Sequence, residues 1–432
     1  MLTSALILLA VFFILVMLGV PIAVSIALAS LSTLMMSMEL TPAATTMAQR
    51  LAGGLDSFTL LAIPFFVISG YLMGRGGIAK RLIEAAKAVV GTLPGGLALV
   101  NTLSCMLFGA ISGSAVAATS AIGTFMIPKM EEEGYDKNFA TAVTVTGSIL
   151  GLLIPPSNVL IIYAVAAGSV SIAALFMGGY VPGILAGILL MIVASLYAHK
   201  KRYPRSPRIP VRDAMKKMLD ALPSISMVLI VVGGIIAGIF TATEASAIAV
   251  VYAFVLSLIY GEIKIKDMPS VLLKSVETTA MVLLLIGVST GMAWVLSYEN
   301  IPQAISDALL TVSDNPIIIL LLINIILLAV GAFLDITPAI LIFTPIFLPV
   351  AMEMGMTPLH FGIMLVLNLS IGLCTPPVGS VLFVGCAVAG TSIQKLVRPL
   401  IMLYAALIVA LMLVTFIPLL SEGLPRATGL IN

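Results

Sequence analysis

Two apolar stretches long enough to enter a bilayer are interrupted at the same place by the same motif, 221 residues apart. The segment Pro128 to Ser157 aligns without a gap on Pro349 to Val378. Eight of the thirty paired positions are identical: Pro128/Pro349, Glu132/Glu353, Gly134/Gly355, Val145/Val366, Gly151/Gly372, Leu152/Leu373, Pro155/Pro376 and Pro156/Pro377. Each copy places Gly-x-x-x-Pro-Pro inside a hydrophobic run. Unpaired amides and carbonyls are costly in hydrocarbon, so such backbone survives only where protein buries it or where it lines a wet cavity. Interrupted segments at matching places in two halves point to the binding site of a secondary transporter.

The rest of the chain fits that frame. It is 61% hydrophobic and 9% charged, against roughly 25% charged in soluble domains, which excludes a soluble fold. Its 36 glycines suit closely packed transmembrane helices. Apolar blocks run 3–36, 57–76, 94–127, 139–168 and 172–198, then 222–261, 275–297, 316–350, 358–389 and 397–420. The halves 1–198 and 222–432 thus repeat five blocks in the same order. Smaller echoes agree: Gly19-Val-Pro-Ile-Ala23 falls near Thr241-Ala-Thr-Glu-Ala245, and Gly77-Ile78 near Asn300-Ile301.

Block length sets the predicted topology, since about 20 helical residues cross the hydrocarbon. The first block of each half is too long for one span and reads as two short helices. The second and fifth read as single spans. The third, broken by Gly109-Ala-Ile-Ser-Gly-Ser114 or Gly331-Ala-Phe-Leu-Asp-Ile-Thr-Pro338, reads as a re-entrant hairpin, about 94–127 and 316–350. The fourth reads as a broken transmembrane helix, about 139–168 and 358–389. Five crossings per half make the repeats inverted; a single span for block one would make them parallel. The expected fold is an all-α polytopic membrane protein of two inverted repeats.

Between the halves, 199–221 is a basic linker; His199 to Lys217 carries 8 of the 21 Lys and Arg residues. The positive-inside rule makes it cytoplasmic, a topology anchor and no more. The N-terminus is apolar from its start and reads as a first membrane segment, not a signal peptide. Cys105, Cys374 and Cys386 lack metal-ligand spacing and read as core residues. No phosphate-binding loop, catalytic constellation or nucleic-acid patch occurs, so the chain is not expected to be an enzyme or to bind nucleic acid.

Deep charges are scarce and so informative. Asp335 at the second hairpin tip reads either as a sodium-site or tip-organising group or as a helix N-cap. Glu244 reads as a cap or a buried hydrogen bond. His360 at a helix entry reads as structural, Lys129 to Lys137 as a solvated turn, and Trp294 with Tyr298 as an interfacial anchor.

The matching stretches Ser112-Gly-Ser-Ala115, Ile127-Pro-Lys-Met130, Gly151-Leu-Leu-Ile-Pro-Pro-Ser157, Gly238-Ile-Phe-Thr-Ala-Thr-Glu-Ala245, Leu334-Asp-Ile-Thr-Pro-Ala339 and Gly372-Leu-Cys-Thr-Pro-Pro-Val-Gly379 make the chain resemble the large membrane subunit of TRAP (tripartite ATP-independent periplasmic) transporters. Ala242 departs from the family, which often has Pro there. The resemblance implies a sodium-driven importer of organic acids in a bacterial or archaeal cytoplasmic membrane, with lipid around it. It implies two partners, a periplasmic substrate-binding protein and a separate small four-helix membrane subunit, and an elevator motion of hairpins and broken helices against a scaffold. Carried onto this chain, one Na+ site uses Ser112 and Ser114 with Gly151, Ile154 and Pro156. The other uses Gly331, Leu334 and Asp335 with Gly372, Thr375 and Val378. Gly113, Ser157, Asn158, Thr337 and Pro376 fall where substrate contacts are expected. Selectivity in this family rests largely with the binding protein, so a C4-dicarboxylate, a sialic or other sugar acid, and a keto acid all fit.

Electrostatics give a mechanism. Without a buried Lys or Arg, an anionic substrate must be neutralised by helix N-termini and bound Na+. Excess sodium entering with it gains about 2.3 kcal/mol per net charge per 100 mV. Competing readings are a stand-alone sodium/dicarboxylate symporter, disfavoured because its Ser-Asn-Thr tips are absent, a passive channel, and the membrane component of a pump.

Overall fold

The computed structural model describes residues 2–75, 77–204, 210–313, 315–376 and 378–431. Pro377 of the second motif and linker residues 205–209 lie outside them. The described residues form twenty α-helices and three short 3-10 turns, with no strand among them. In the first half these are α1 Leu2–Met17, α2 Ile22–Leu34, α3 Leu40–Leu55, α4 Ala62–Arg75, α5 Ile78–Val90, α6 Gly96–Ser112, α7 Ala115–Glu132, α8 Lys137–Ser148, α9 Asn158–Ala167 and α10 Ile172–Lys200. The second half has α11 Val211–Ile236, α12 Ala242–Ile259, α13 Met268–Tyr298, α14 Ile301–Val312, α15 Pro316–Gly331, α16 Ile336–Glu353, α17 Pro358–Gly372, α18 Ser380–Ala389, α19 Ile393–Phe416 and α20 Leu419–Ala427. Six helices among the described residues are long and apolar enough to cross a membrane, or up to eight if each of two bent pairs counts as a span.

The 221-residue register extends well beyond the motif. It superposes the starts of α7 and α16, at Ala115 and Ile336, and those of α10 and α19, at Ile172 and Ile393. Gly77 and Asn300, the left-handed residues that start α5 and α14, fall two residues out of that register. The register fails to predict shape at one place. Residues 57–76, read as a single span, belong to a pair, Leu40–Leu55 with Phe58–Gly74, bent by 62°. The counterpart α13 is one continuous helix of 31 residues.

Helices α1–α5 and α11–α14 form an outer layer, in which α4 packs on α12 and α13 lies across α2 and α3. Apolar side chains such as Leu6, Ile14, Leu229 and Val251 point outward from it, as lipid contact requires. Helices α6–α10 and α15–α20 form the inner body. Every residue of α8 from Phe139 to Ser148, and of α17 from Leu359 to Gly372, is buried there.

The two repeats interlock: α7 packs on α18, and α16 on α9. Hydrogen bonds fix their relative direction. Asn138 at the start of α8 accepts from Thr391 just beyond α18 at 2.7 Å, and Tyr163 late in α9 donates to the Pro358 carbonyl at the start of α17. The two broken helices therefore run antiparallel, as inversion requires. Local chemistry sets their ends: Asp136, Ser157, Ser171 and Thr357 each accept a backbone amide of the helix they precede.

Candidate functional site

Both hairpin tips meet a helix break at a bare backbone. In repeat one, a Cβ added to Gly109 of α6 would lie 2.9 Å from the Gly151 Cα. In repeat two, a Cβ on Gly372 would lie 2.5 Å from the Gly331 Cα and carbonyl carbon. Only glycine on both sides lets main chains approach this closely, and that approach brings the tips to the breaks. Polar side chains buried behind the tips hold the same pairs together. Asn101 of α6 donates to Thr144 of α8 at 2.7 Å, and Asn368 of α17 donates to the Asn324 side chain of α15 at 2.8 Å.

Tip one contains Ser112, Gly113 and Ser114. Gly113 is left-handed (φ 64°) and caps α6, a conformation that favours glycine. Its missing side chain leaves room for Asn158, whose Nδ2 would be 2.9 Å from a Cβ there. The Ser112 hydroxyl is buried, 3.4 Å from both the amide and the carbonyl of Ser114. Ser114 accepts the Ala117 amide at 3.2 Å. In the break, α8 ends in a 3-10 turn, Ile149–Leu152, and the Pro155–Pro156 bond is cis. Ser157 donates to the Leu152 carbonyl while accepting the Leu160 amide. Ile154 turns its side chain to α10 at Gly183, where a Cβ would lie 2.6 Å from its Cγ1.

Tip two is one residue shorter between its contact glycine and its helix N-cap. Gly331 stands 222 residues from Gly109, but Asp335 stands 221 from Ser114. It has no counterpart of Gly113, and it is tied to the break directly, the Gly379 amide donating to the Ala332 carbonyl at 3.1 Å. Asp335 occupies the N-cap position of α16 but makes no side-chain cap bond; its carboxylate is open, with the Ser380 hydroxyl 3.5 Å away. Thr375 donates its hydroxyl proton to the Ile371 carbonyl at 2.8 Å, leaving the oxygen lone pairs free to accept. Leu334 is buried, Thr337 and Pro376 are half-buried, and the Val378 side chain points outward.

Gly379, not among the residues expected at the site, is central to it. A Cβ there would sit 2.8 Å from the Leu373 carbonyl oxygen and 2.9 Å from that of Thr375. Two backbone carbonyls thus crowd the Gly379 Cα and leave no room for a side chain, so only glycine lets the chain pass between them. The signal was present in the sequence, since Gly379 closes the Pro-Pro-Val-Gly run. The Asn101–Thr144 and Asn324–Asn368 pairs were also missed; a lone Asn in an apolar run was their only trace. The segments 96–128, 138–199 and 316–394, which build both tips and both breaks, contain no Lys or Arg. Glu244 closes a capping box with Thr241, and the buried His360 ring bonds the Val414 carbonyl at 2.7 Å; both are structural.

These features define a multi-pass membrane transporter body, and the comparisons agree. Residues 9–420 match the family model described as the Tripartite ATP-independent periplasmic transporter, DctM component. The chain belongs to that family, a transporter component and not an enzyme. It is 51% identical to the uncharacterized protein YgiK of Salmonella typhimurium, over 96% of this chain and 95% of that one. It is 43% identical to the C4-dicarboxylate TRAP transporter large permease protein DctM of Pseudomonas aeruginosa, over 87% and 88%. It is 39% identical to the sialic acid TRAP transporter large permease protein SiaM of Vibrio cholerae, over 88% and 89%. Its fold resembles the crystal structure of the Alcanivorax borkumensis YdaH transporter, with a TM-score of 0.57 at 15% identity, covering 88% and 90%.

Proposed function

We propose that the chain is the sodium-coupled large permease of an importer of organic acids, loaded by a periplasmic substrate-binding protein and completed by a small membrane subunit. The observation that carries the reading is the pair of tip-to-break contacts, which gather carbonyls, hydroxyls and one carboxylate where no cationic side chain is available. Such a site attracts Na+, and an anionic substrate then finds its countercharge in the bound ion and in the amide ends of α9 and α18. Relatives named for a C4-dicarboxylate and for sialic acid support the organic-acid class. An elevator motion is supported by the separation into an inner body and an outer layer, whose short helices α5 and α14 pack on α6 and α16 of the inner body. The basic linker supports a cytoplasmic α10–α11 connection in an inner-membrane protein.

The test is uptake by proteoliposomes containing the chain and its small subunit, with and without a binding protein and an inward sodium gradient. Uptake requiring both supports the proposal. Sodium-driven uptake without the binding protein favours the stand-alone symporter, and uptake indifferent to sodium refutes the site assignment.

A further inference from the structure

The two sites differ at one pair of positions that the repeat register makes equivalent. Ile154 corresponds to Thr375, and Gly183 of α10 corresponds to Tyr404 of α19, each 221 residues on. In repeat one, bulk sits on the break and the facing helix is bare: the Ile154 side chain fills the space that Gly183 leaves. In repeat two the sizes are exchanged, with a small polar residue on the break and a tyrosine on the facing helix. The Tyr404 hydroxyl lies beside the Cys374 and Thr375 side chains. It is buried, and aligned with no hydrogen-bond partner among the described residues. A buried hydroxyl left in that state is costly, and of the two side chains beside it the Thr375 oxygen is the stronger acceptor.

We propose that Tyr404 is a positioning residue that aims the Thr375 hydroxyl at the second cation site. This rests on the sodium reading above. The Thr375 oxygen gives its proton to Ile371; if one lone pair accepts from Tyr404, the remaining lone pair is fixed in direction and available to a cation. At the equivalent place, repeat one offers only backbone and an apolar plug. The two sites are therefore chemically unequal at this position, where only the second break carries a side-chain hydroxyl.

The experiment measures sodium activation of uptake, and sodium-dependent thermal stabilisation of the purified protein, for wild type, Tyr404→Phe, Thr375→Val, the double variant and Thr375→Ser. Tyr404→Phe removes only the hydroxyl and should raise half-saturating sodium about five- to tenfold, the loss of one hydrogen bond. Substrate half-saturation at saturating sodium should stay unchanged. The double variant should equal Thr375→Val alone, because both act through one oxygen. Thr375→Ser, which keeps that oxygen, should behave like wild type and remain sensitive to Tyr404→Phe. A Tyr404→Phe sodium curve matching wild type, or additive effects in the double variant, overturns the positioning role while leaving the sodium reading intact. A wild type indifferent to sodium overturns both.

Discussion

Alanine at Gly372 tests whether tip and break must touch main chain to main chain. The new Cβ would lie 2.5 Å from the Gly331 Cα and carbonyl carbon and 2.9 Å from its oxygen. Carbon atoms rest at about 3.5–4.0 Å, so the two backbones must part by about 1 Å. The obstacle is backbone on both sides, with no flexible side chain to rotate away. Overpacking typically costs about 1–3 kcal/mol, and this rigid case belongs in the upper half. About 2–3 kcal/mol corresponds to roughly 30- to 150-fold in the population of the closed tip. Half-saturating sodium should rise by a comparable factor, and Tm should fall. Gly233→Ala is the control: it lies in α11 with nothing within 4 Å of its Cβ, and should gain up to about 1 kcal/mol from helix propensity. Wild-type sodium activation and Tm in Gly372→Ala would refute the contact argument.

Thr375→Ala and Asp335→Ala should each weaken sodium activation while membrane insertion persists, measured as uptake against sodium alongside the amount of protein in the membrane fraction. Asn368→Ala should lower stability by about 2–3 kcal/mol, since it strands the buried Asn324 carbonyls; calorimetry reads this directly. Lys201→Cys should react with an impermeant maleimide in inside-out vesicles but not in right-side-out vesicles, against a low background, because Cys105, Cys374 and Cys386 are buried.

What was legible in the sequence was its punctuation. Gly151, Pro155 and Pro156, with Gly372 and Pro376, mark backbone that cannot continue as helix, and the 221-residue register then orders the remaining elements. Helices α5 and α14 escaped because their polar residues hide them from a search for apolar blocks: Lys80, Arg81, Glu84 and Lys87 lie in α5, and Gln303 and Asp307 in α14. The bend between α3 and α4 escaped because nothing in 57–76 shows that its axis leans away from what precedes it. The Asn324–Asn368 neighbours come from different helices, and Thr375 and Tyr404 from a break and a helix, so only packing reveals them. Asp335 shows the limit most clearly. Its sequence context is that of a cap, yet its carboxylate caps nothing.

The interlocking of the repeats also has a consequence for how this protein is made. When the ribosome finishes α10, helices α7 and α9 are in the membrane but their partners α18 and α16 have not been synthesised. Contacts between such distant segments form late and slowly, so the first half waits with polar tip residues exposed and no native surface to cover them. A chain truncated near its midpoint is thus not half a transporter but an orphan, suited to capture by a membrane chaperone or protease. Assembly is committed only when α18 slides in beside α7, close to the end of translation.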